Sequence, residues 1–455
     1  MTLNNKQEYI YTLTAVNKDH GIKDFEKETK PYSVFGGAHQ KQQYIIIDDE
    51  FNSNELYRSL VKFLSSSSKP VSVDLNSMVK LVKEDKLNSL ISIVVSALEY
   101  AEATPFTLKS NPVEKNVHNL VVDTKYEELV KKHETIAKEI TITRGMQDAP
   151  SNLMTPGDFE EQIRNRIQGL DIKMTVLNRM DLVKKGMNLH VGVGGAAVSE
   201  KYQPRLIVLE YMNNPSNENK MAFVGKGVCF DTGGYNVKTG PHMRHMKFDM
   251  SGAAISASTL ISLAKNKEKV NAYAVLPLVF NLLGAEAQRP DDVLKSYNGK
   301  TVEIDNTDAE GRLILADALT YAVRDLKVNK IFDIATLTGA MIYALGDTYS
   351  GVWSTCDCMW KMIEKSADEA GELVWRLPFH NDFLKMLDSH VADIANSVSD
   401  PRGGSSRAAV FLREFTEGVT YAHFDVAITA DVGHKGTGVM LKTFYNFIND
   451  WFGNK

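Results

Sequence analysis

Hydrophobic and polar positions in residues 1–140 form short apolar runs separated by longer amphipathic segments. Short runs rich in β-branched and aromatic residues are typical of strands, and apolar positions repeating every three or four residues are typical of helices. The pattern predicts strands at 9–16, 43–47, 71–75 and 118–122 and helices at 54–64, 87–103 and 126–140. Strands that alternate with helices predict an α/β layer with a mostly parallel sheet.

The rest of the chain repeats this alternation. Strands are predicted at 172–177, 205–211, 221–224, 272–276 and 330–334, separated by helical stretches such as the small-residue segment 251–264. This part is again of the α/β class. The long charged helix at 126–140 leads into it and is the expected linker. We therefore predict two domains, a small N-terminal α/β domain at 1–148 and a larger C-terminal domain at 149–455.

Composition restricts the class of protein. With 455 residues, 43% hydrophobic and 24% charged, the chain is an ordinary soluble globular protein of about two domains. The net charge of −5 provides no basic footprint for nucleic acid. Three cysteines make no disulfide framework and fit a reducing compartment. The N-terminus lacks an apolar signal core and no apolar run reaches membrane-spanning length, so we expect a cytoplasmic protein without a membrane partner.

The segment 306–313, NTDAEGRL, carries the most informative chemistry. Asp308 and Glu310 stand at positions i and i+2, and alternate side chains of an extended segment share one face. Arg312 continues that face and places a cation beside the two acids. One arginine balances one carboxylate, so the surplus negative charge indicates a bound metal ion.

A second cluster of charged residues lies upstream, in and between VGKGVCFDTGG and MKFDMSGAA. Its members are Lys226, Asp231, Lys238 and Asp249, set among glycines that let the backbone bend and approach closely. Asp249 stands just before the predicted helix 251–264, where the exposed N–H groups favour an acid. Three aspartates, one glutamate and two lysines therefore gather in two short windows.

The chain resembles the cytosol (leucyl) aminopeptidase family of metallopeptidases over roughly residues 145–450. The resemblance rests on the order and spacing of four segments, VGKGVCFDTGG, MKFDMSGAA, NTDAEGRL and DIATLTGA (residues 333–340). The resemblance implies an enzyme that hydrolyses neutral, leucine-like N-terminal residues from peptides. It also implies a catalytic domain with a mixed central sheet flanked by helices, and assembly as a homohexamer. Residues 1–140 carry no family signature.

The resemblance implies a role for each matched residue. Two divalent ions, Zn²⁺, Mn²⁺, Mg²⁺ or Co²⁺, would together lower the pKa of a water that bridges them. A lysine ligand must bind as the neutral amine. The implied metal ligands are Lys226, Asp231, Asp249, Asp308 and Glu310.

Six further positions match functional residues of the family. Lys238 would stabilise the oxyanion of the tetrahedral intermediate, and Arg312 would hold a bicarbonate ion that shuttles the proton. The implied substrate-binding residues are Met246, Thr336, Gly339 and Ala427. Ile428 stands where the family usually has glycine, and a larger side chain there could narrow the pocket for the N-terminal residue.

Several motifs have simpler interpretations. His242 and His245 form HxxH, but HExxH is absent and the acids already complete a ligand set, so a zinc role is disfavoured. Lys226 between two glycines lacks the GxxxxGK[ST] spacing of a phosphate loop. His423 alternates with apolar neighbours in a strand pattern and is expected to be structural.

Cys356 and Cys358 form CxC, and Cys229 stands alone. Without further cysteine spacing a zinc ribbon is disfavoured, and all three are expected to be free thiols.

Two other functions remain open from the sequence. Some family members also bind DNA, which the acidic balance and the lack of Lys/Arg blocks in residues 1–140 disfavour. A catalytically inactive scaffold is the second alternative, which the complete set of seven metal-binding and catalytic residues disfavours.

Overall fold

The computed structural model describes residues 1–3, 11–36 and 41–453. The chain divides into two compact units. One comprises Met1–Thr141 and Lys365–Leu373, and the other comprises Ile142–Glu364 and Val374–Lys455. The domain boundary between 148 and 149 stays a prediction, because the helix Glu127–Asp148 belongs to both units.

The sheet of the first unit has, in its described residues, six strands in the order β1-β6-β5-β2-β4-β3. All neighbouring strands are parallel except β3 and β4. The predicted mostly parallel α/β layer is therefore confirmed, although residues 9 and 10 of the first predicted strand lie outside the described residues. The elements are β1 (Thr2–Leu3), β2 (Tyr11–Val16), β3 (Val34–Phe35), β4 (Gln42–Ile46), α1 (Ser53–Ser66), β5 (Val71–Asp74), α2 (Leu75–Val79), α3 (Leu87–Glu102), β6 (Asn119–Val121) and α4 (Glu127–Asp148).

Helix α1 shows why these segments fold as they do. Asn52 caps its N-terminus, and the side-chain oxygen accepts a hydrogen bond from the backbone N–H of Glu55 at 3.0 Å. Leu56, Leu60 and Leu64 recur every four residues, so they share one face and are all buried. These leucines join apolar residues of the strands and of α3, which gives the first unit a core of its own.

The large sheet of the second unit has nine strands within the described residues. Eight follow the order β16-β15-β18-β14-β9-β11-β8-β7, and β10 pairs with β11. The central pairs are parallel, whereas β15–β18, β8–β11 and β7–β8 are antiparallel. The mixed sheet that the family resemblance implies is therefore confirmed.

Helices flank this sheet, and in the described part of the chain none is long and apolar enough to cross a membrane. The strands of the second unit are β7 (Lys173–Leu177), β8 (Arg205–Met212), β9 (Met221–Gly225), β10 (Gly227–Asp231), β11 (Asn271–Asn281), β12 (Val293–Lys295), β13 (Thr301–Glu303), β14 (Lys330–Ala335), β15 (Ser350–Ser354), β16 (Val374–Arg376), β17 (Ile394–Ala395), β18 (Thr420–Asp425), β19 (Asp431–Val432) and β20 (Lys435–Gly436). Its helices are α5 (Pro156–Arg166), α6 (Arg179–Lys185), α7 (Asn188–Val193), α8 (Ser251–Lys265), α9 (Glu310–Arg324), α10 (Met341–Leu345), α11 (Asp357–Ala370), α12 (Asn381–Lys385), α13 (Gly404–Arg413) and α14 (Leu441–Gly453).

Helix α8 lies very close to the central strands. A Cβ on Gly252, in its first turn, would lie 2.0 Å from the carbonyl oxygen of Ile334 in β14. Only glycine permits this approach. The small residues of the segment 251–264 are thus explained by close helix–sheet packing.

One prediction about the cysteines is wrong. A disulfide joins Cys356 and Cys358, which were expected to be free thiols. Their Cα atoms lie 5.5 Å apart, a separation that a disulfide spans. Cys229 is free and buried, as expected.

Candidate active site

Lys226 lies between β9 and β10, at the carboxyl end of a central strand. Its backbone N–H donates to the carbonyl oxygen of Ile334 at 3.0 Å, and its own carbonyl oxygen accepts from the N–H of Ala253 at 2.8 Å. Strand β14 and helix α8 therefore fix the lysine from two sides. Open α/β sheets commonly place their sites at this end of the strands.

The Nζ atom of Lys226 lies between two buried acids. It is 2.7 Å from Oδ1 of Asp249 and 2.9 Å from Oε1 of Glu310. The next residue, Gly311, makes room for it, because a Cβ there would lie 2.5 Å from Cε of Lys226. The glycine of NTDAEGRL is thus required by the close approach of the lysine.

Lys238 pairs with two further acids. Its Nζ atom is 2.9 Å from Oδ2 of Asp231 and 2.7 Å from Oδ1 of Asp308. Asp231 ends strand β10, and its Oδ1 accepts hydrogen bonds from Gly233 N and from Asn281 Nδ2, both at 2.8 Å. These bonds fix the direction in which the carboxylate points.

The acids converge on one point. Asp231, Asp308 and Glu310 each offer a carboxylate oxygen within 4.8 Å of the other two. With Asp249, four acids face two lysines. Oδ2 of Asp249 and Oε2 of Glu310 are buried without a hydrogen-bond partner among the residues that the structure describes, which is costly unless a cation joins them. This set of oxygen and nitrogen donors fits divalent metal ions.

The pKa values of the site reflect the same surplus of negative charge. Burial raises the pKa of Asp249 well above its usual range, despite the neighbouring Lys226. Burial, followed by two neighbouring acids, raises the pKa of Asp308 to about 7. Burial alone would lower the pKa values of Lys226 and Lys238, but the surrounding acids raise both. The neighbouring acids therefore favour the charged form of both lysines, and the acids outnumber the cations that stabilise them.

The local geometry predicted for NTDAEGRL is wrong, although the acids do meet. Asp308 lies in the loop before α9, whereas Glu310 is the first residue of that helix. The two acids therefore do not alternate along one extended segment. An acid is favoured in the first turn of a helix, where backbone N–H groups are exposed.

Arg312 is also helical, and within the described residues it forms no direct ion pair with Asp308 or Glu310, although the negative charge of Glu310 stabilises its guanidinium group. Its Nη1 atom donates to the backbone carbonyl oxygen of Asn396 at 2.6 Å. Its Nε atom is buried without a partner in the described part of the chain. Burial lowers the pKa of Arg312 to about 10, so the guanidinium remains charged at neutral pH.

Asn396 is a site residue that sequence reasoning missed. Its Oδ1 accepts from the backbone N–H groups of Asp305 at 2.9 Å and Asn306 at 3.2 Å. Its Nδ2 donates to the carbonyl oxygen of Asn306 at 2.7 Å. One buried side chain therefore fixes the loop that carries Asp308. No motif around position 396 indicated this role.

Thr307 and Asn281 were missed as well. The Oγ1 atom of Thr307 donates to the carbonyl oxygen of Gly233 at 2.6 Å and accepts from the N–H of Asn236 at 2.8 Å. Asn281 Nδ2 donates to the carbonyl oxygen of Thr307 at 3.1 Å as well as to Asp231. These bonds join the loop after β10 to the NTDAEGRL loop. The position of Thr307 beside Asp308 was the available signal.

Thr336 and Met246, two of the predicted substrate-binding residues, lie close to the acids of the site. The carbonyl oxygen of Thr336 accepts from Nζ of Lys226, and its Oγ1 donates to Oδ1 of Asp249, both at 2.8 Å. Met246 begins the short 3₁₀ helix Met246–Met250, which carries Asp249, and is half-buried.

Gly339 and Ala427, the other two predicted substrate-binding residues, lie in or near the loop that follows β14. The backbone N–H of Ala427 donates to Oδ1 of Asp425 at 3.1 Å, and the N–H of Leu337 donates to the same oxygen at 3.2 Å. Gly339 is exposed, with open space where a Cβ would stand. Ile428 packs against the apolar cluster around Trp353.

Within the described residues, His242, His245 and His423 do not belong to the convergent group of site acids. The rings of His245 and His434 stack with centroids 3.8 Å apart. His423 is buried in β18, with Nδ1 2.6 Å from Oδ1 of Asp333, as expected for a structural histidine.

Comparison with known proteins extends the resemblance to most of the chain. The model of the cytosol aminopeptidase family, catalytic domain, matches residues 141–445. A protein of Mycoplasma pneumoniae named "Probable cytosol aminopeptidase" is 49% identical over 85% of this chain and 87% of its own length. A protein of the same name from Mycoplasma genitalium is 45% identical over 94% of both chains.

Solved structures are similar over nearly the whole chain. A leucine aminopeptidase of Caenorhabditis elegans has a TM-score of 0.84 and 26% identity, and the match covers 99% of this chain and 98% of that one. A bottromycin maturation enzyme in complex with Mn has a TM-score of 0.85 over 97% of this chain and 99% of its own, but at 24% identity this likeness shows the fold alone. The chain belongs to the cytosol aminopeptidase family and is a metallo-aminopeptidase.

Proposed function

We propose that the chain is a two-metal aminopeptidase that removes neutral, leucine-like residues from the N-termini of peptides. The observation that carries this proposal is the convergence of Asp231, Asp308 and Glu310 within 4.8 Å of one another. Peptide hydrolysis requires an activated water and a stabilised carbonyl oxygen. The residues around these three acids include candidates for both tasks.

The metal ions would be held by Lys226, Asp231, Asp249, Asp308 and Glu310. Oxygen and nitrogen donors without a thiolate suit Zn²⁺, Mn²⁺, Mg²⁺ or Co²⁺. The structurally similar bottromycin maturation enzyme is in complex with Mn. Bound ions of this kind act as Lewis acids and lower the pKa of water towards neutrality.

The two lysines would have different tasks. Lys226 has a side chain only 3% exposed between two acids, and it can become a ligand only by losing its proton, because an ammonium group has no lone pair. The Lys238 side chain is 17% exposed. Since its acids raise the pKa of Lys238, it stays charged and can stabilise the negative charge that develops on the scissile carbonyl oxygen.

Arg312 would hold a bicarbonate ion. Its buried Nε atom has no hydrogen-bond partner among the described residues, and its guanidinium group is charged at neutral pH. A buried cation with an unused donor suits a small anion. Arg312 would thereby position a proton-exchanging group in a site whose acids are all assigned as ligands.

The substrate's first side chain would lie near Met246, Thr336, Gly339 and Ala427. None of these four side chains is charged, which favours a neutral N-terminal residue. Ile428 is half-buried beside Ala427, and it would limit the size of that residue.

The family resemblance further supports two proposals about the setting of the enzyme. The chain would assemble as a homohexamer. It would act in the cytoplasm, in line with the name of its relatives.

The proposal is tested with a panel of aminoacyl reporter substrates, before and after chelation. Leucyl and methionyl substrates should be cleaved, aspartyl and lysyl substrates much more slowly, and chelation should abolish all cleavage until Mn²⁺ or Co²⁺ is restored. Equal rates on charged and neutral substrates would refute the preference. Full metal occupancy without hydrolysis would favour the scaffold alternative.

A further inference from the structure

The disulfide between Cys356 and Cys358 includes no residue of the metal site and has no part in the proposed hydrolysis. It lies at the start of helix α11. The carbonyl oxygen of Cys356 accepts a hydrogen bond from the N–H of Trp360 at 3.1 Å. Cys356 therefore occupies the N-cap position, and Cys358 lies in the first turn of the helix.

The pair is accessible to small molecules. Cys358 is exposed and Cys356 is half-buried. Cys356 also lines an open surface cavity of about 500 Å³, together with Arg413 and Thr420. Cys229 differs from both, because it is buried and burial raises the pKa of its thiol.

The surroundings favour the thiolate form that exchange requires. The helix has 14 residues, and the exposed N–H groups of a helix N-terminus stabilise a thiolate. Asp357 lies between the two cysteines, but its Oδ1 is 2.7 Å from Nη1 of Arg376. That ion pair offsets the negative charge of Asp357, and Arg413 lies with Glu414 and Glu417 in the cavity that Cys356 lines.

We propose that Cys356 and Cys358 form a redox-active dithiol–disulfide couple that exchanges with low-molecular-weight thiols. A thiolate attacks the exposed sulfur of Cys358, a mixed disulfide forms, and Cys356 leaves as a thiolate. A second thiol then releases Cys358, so that two thiols are oxidised to one disulfide while the protein disulfide is reduced to two thiols. Oxidation by a low-molecular-weight disulfide is the reverse.

The cytoplasmic location proposed above favours an exchangeable disulfide over a structural one. Cytosolic disulfides are usually transient, catalytic or redox-sensing. One disulfide that closes over a single intervening residue also constrains little of the unfolded chain, because the stabilisation grows with the length of the closed loop.

The test uses the full-length protein in glutathione buffers of graded ratio at neutral pH. Samples of the folded protein are alkylated rapidly at neutral pH, and the labelled peptides are identified by mass spectrometry. Cys356 and Cys358 should gain and lose labels together as the ratio changes, whereas Cys229 should remain unlabelled until the protein is unfolded. The C229S variant should give the same pattern at the other two positions.

Single variants test the order of the exchange. In C356S, Cys358 has no partner to resolve a mixed disulfide, so its glutathione adduct should exceed that of the wild type by about an order of magnitude at one buffer ratio. Thiols that stay unpaired in pure glutathione disulfide would overturn the proposal. So would a disulfide that resists excess glutathione until the protein unfolds.

Discussion

Arg312 donates a hydrogen bond from Nη1 to the backbone carbonyl oxygen of Asn396 at 2.6 Å, although the two residues stand 84 positions apart in sequence. The side chain of Asn396 also holds the backbone of Asp305 and Asn306. A single buried residue therefore fixes Arg312 and the loop that carries Asp308, two parts of the site with separate chemical tasks.

The first prediction follows from this double contact. Asn396→Ala should leave part-buried backbone groups of Asp305 and Asn306 without their side-chain partner and lower the free energy of unfolding by about 1–2 kcal/mol. It should also weaken metal binding by about 10–100-fold, as loss of a group that orients ligands typically does. Urea unfolding and calorimetric titration with Mn²⁺ measure the two effects. Asn381→Ala, an exposed asparagine, is the matched control, and unchanged Mn²⁺ affinity in a folded Asn396→Ala protein would refute the role.

The second prediction concerns the space that Gly311 leaves for Lys226. Gly311→Ala places a methyl group 2.5 Å from Cε of the lysine, so the lysine must move away from Glu310. Metal affinity should fall by about tenfold or more, while helix α9 keeps its fold. Gly453→Ala is the control, because nothing lies within 4 Å of its Cβ position. Equal Mn²⁺ affinity in both variants would show that the lysine's position is unimportant for binding.

The third prediction separates the two lysines. Lys238→Ala should lower kcat by about 10²–10³, leave KM within a few-fold and keep both metals, because its charge acts mainly in the transition state. Lys226→Ala should instead lower metal occupancy. Steady-state kinetics combined with elemental analysis distinguishes them. A raised KM with unchanged kcat in Lys238→Ala would make that lysine a ground-state binding group.

The fourth prediction concerns pH and a residue outside the site. Burial lowers the pKa of His190 to about 4, and its Nε2 donates to the carbonyl oxygen of Leu278 at 3.1 Å. Below the usual histidine pKa, the unfolded chain takes up a proton that the folded chain does not. Stability from this residue is therefore complete above pH ~6.5 and is lost towards pH ~4, by up to about 3 kcal/mol.

Urea unfolding across that range tests this loss in the wild type and in His190→Gln. The difference between the two proteins should shrink as the pH falls, because other histidines contribute equally to both. A constant difference would show that His190 takes up its proton in the folded protein over the same pH range as in the unfolded chain.

The sequence was sufficient for the broad architecture and for finding the acids, because periodicity and ordered motifs are local features. It failed where contacts are not local. Glu310 and Asp308 were expected on one extended segment, but the helix begins at Glu310. Arg312 was expected to pair with one of the acids, but it donates its hydrogen bond to a backbone carbonyl group distant in sequence. No sequence motif around Asn396 indicates that its side chain holds the backbone of a distant loop.

The pairing of the cysteines could not be predicted from the sequence either. A CxC spacing allows free thiols or a disulfide, and the sequence does not distinguish them, whereas the structure joins Cys356 to Cys358. Cys229, by contrast, was correctly predicted to be free, since it has no neighbouring cysteine in the sequence.

The number of metal ions in the active enzyme distinguishes a two-metal site from the alternatives. Metal-free protein should be titrated with Mn²⁺ while bound metal per subunit and hydrolysis of a leucyl substrate are measured together. We expect two ions per subunit at full activity, with Asp308→Asn and Asp249→Asn each losing affinity for one of them. Full activity with one ion per subunit, or with none, would contradict it.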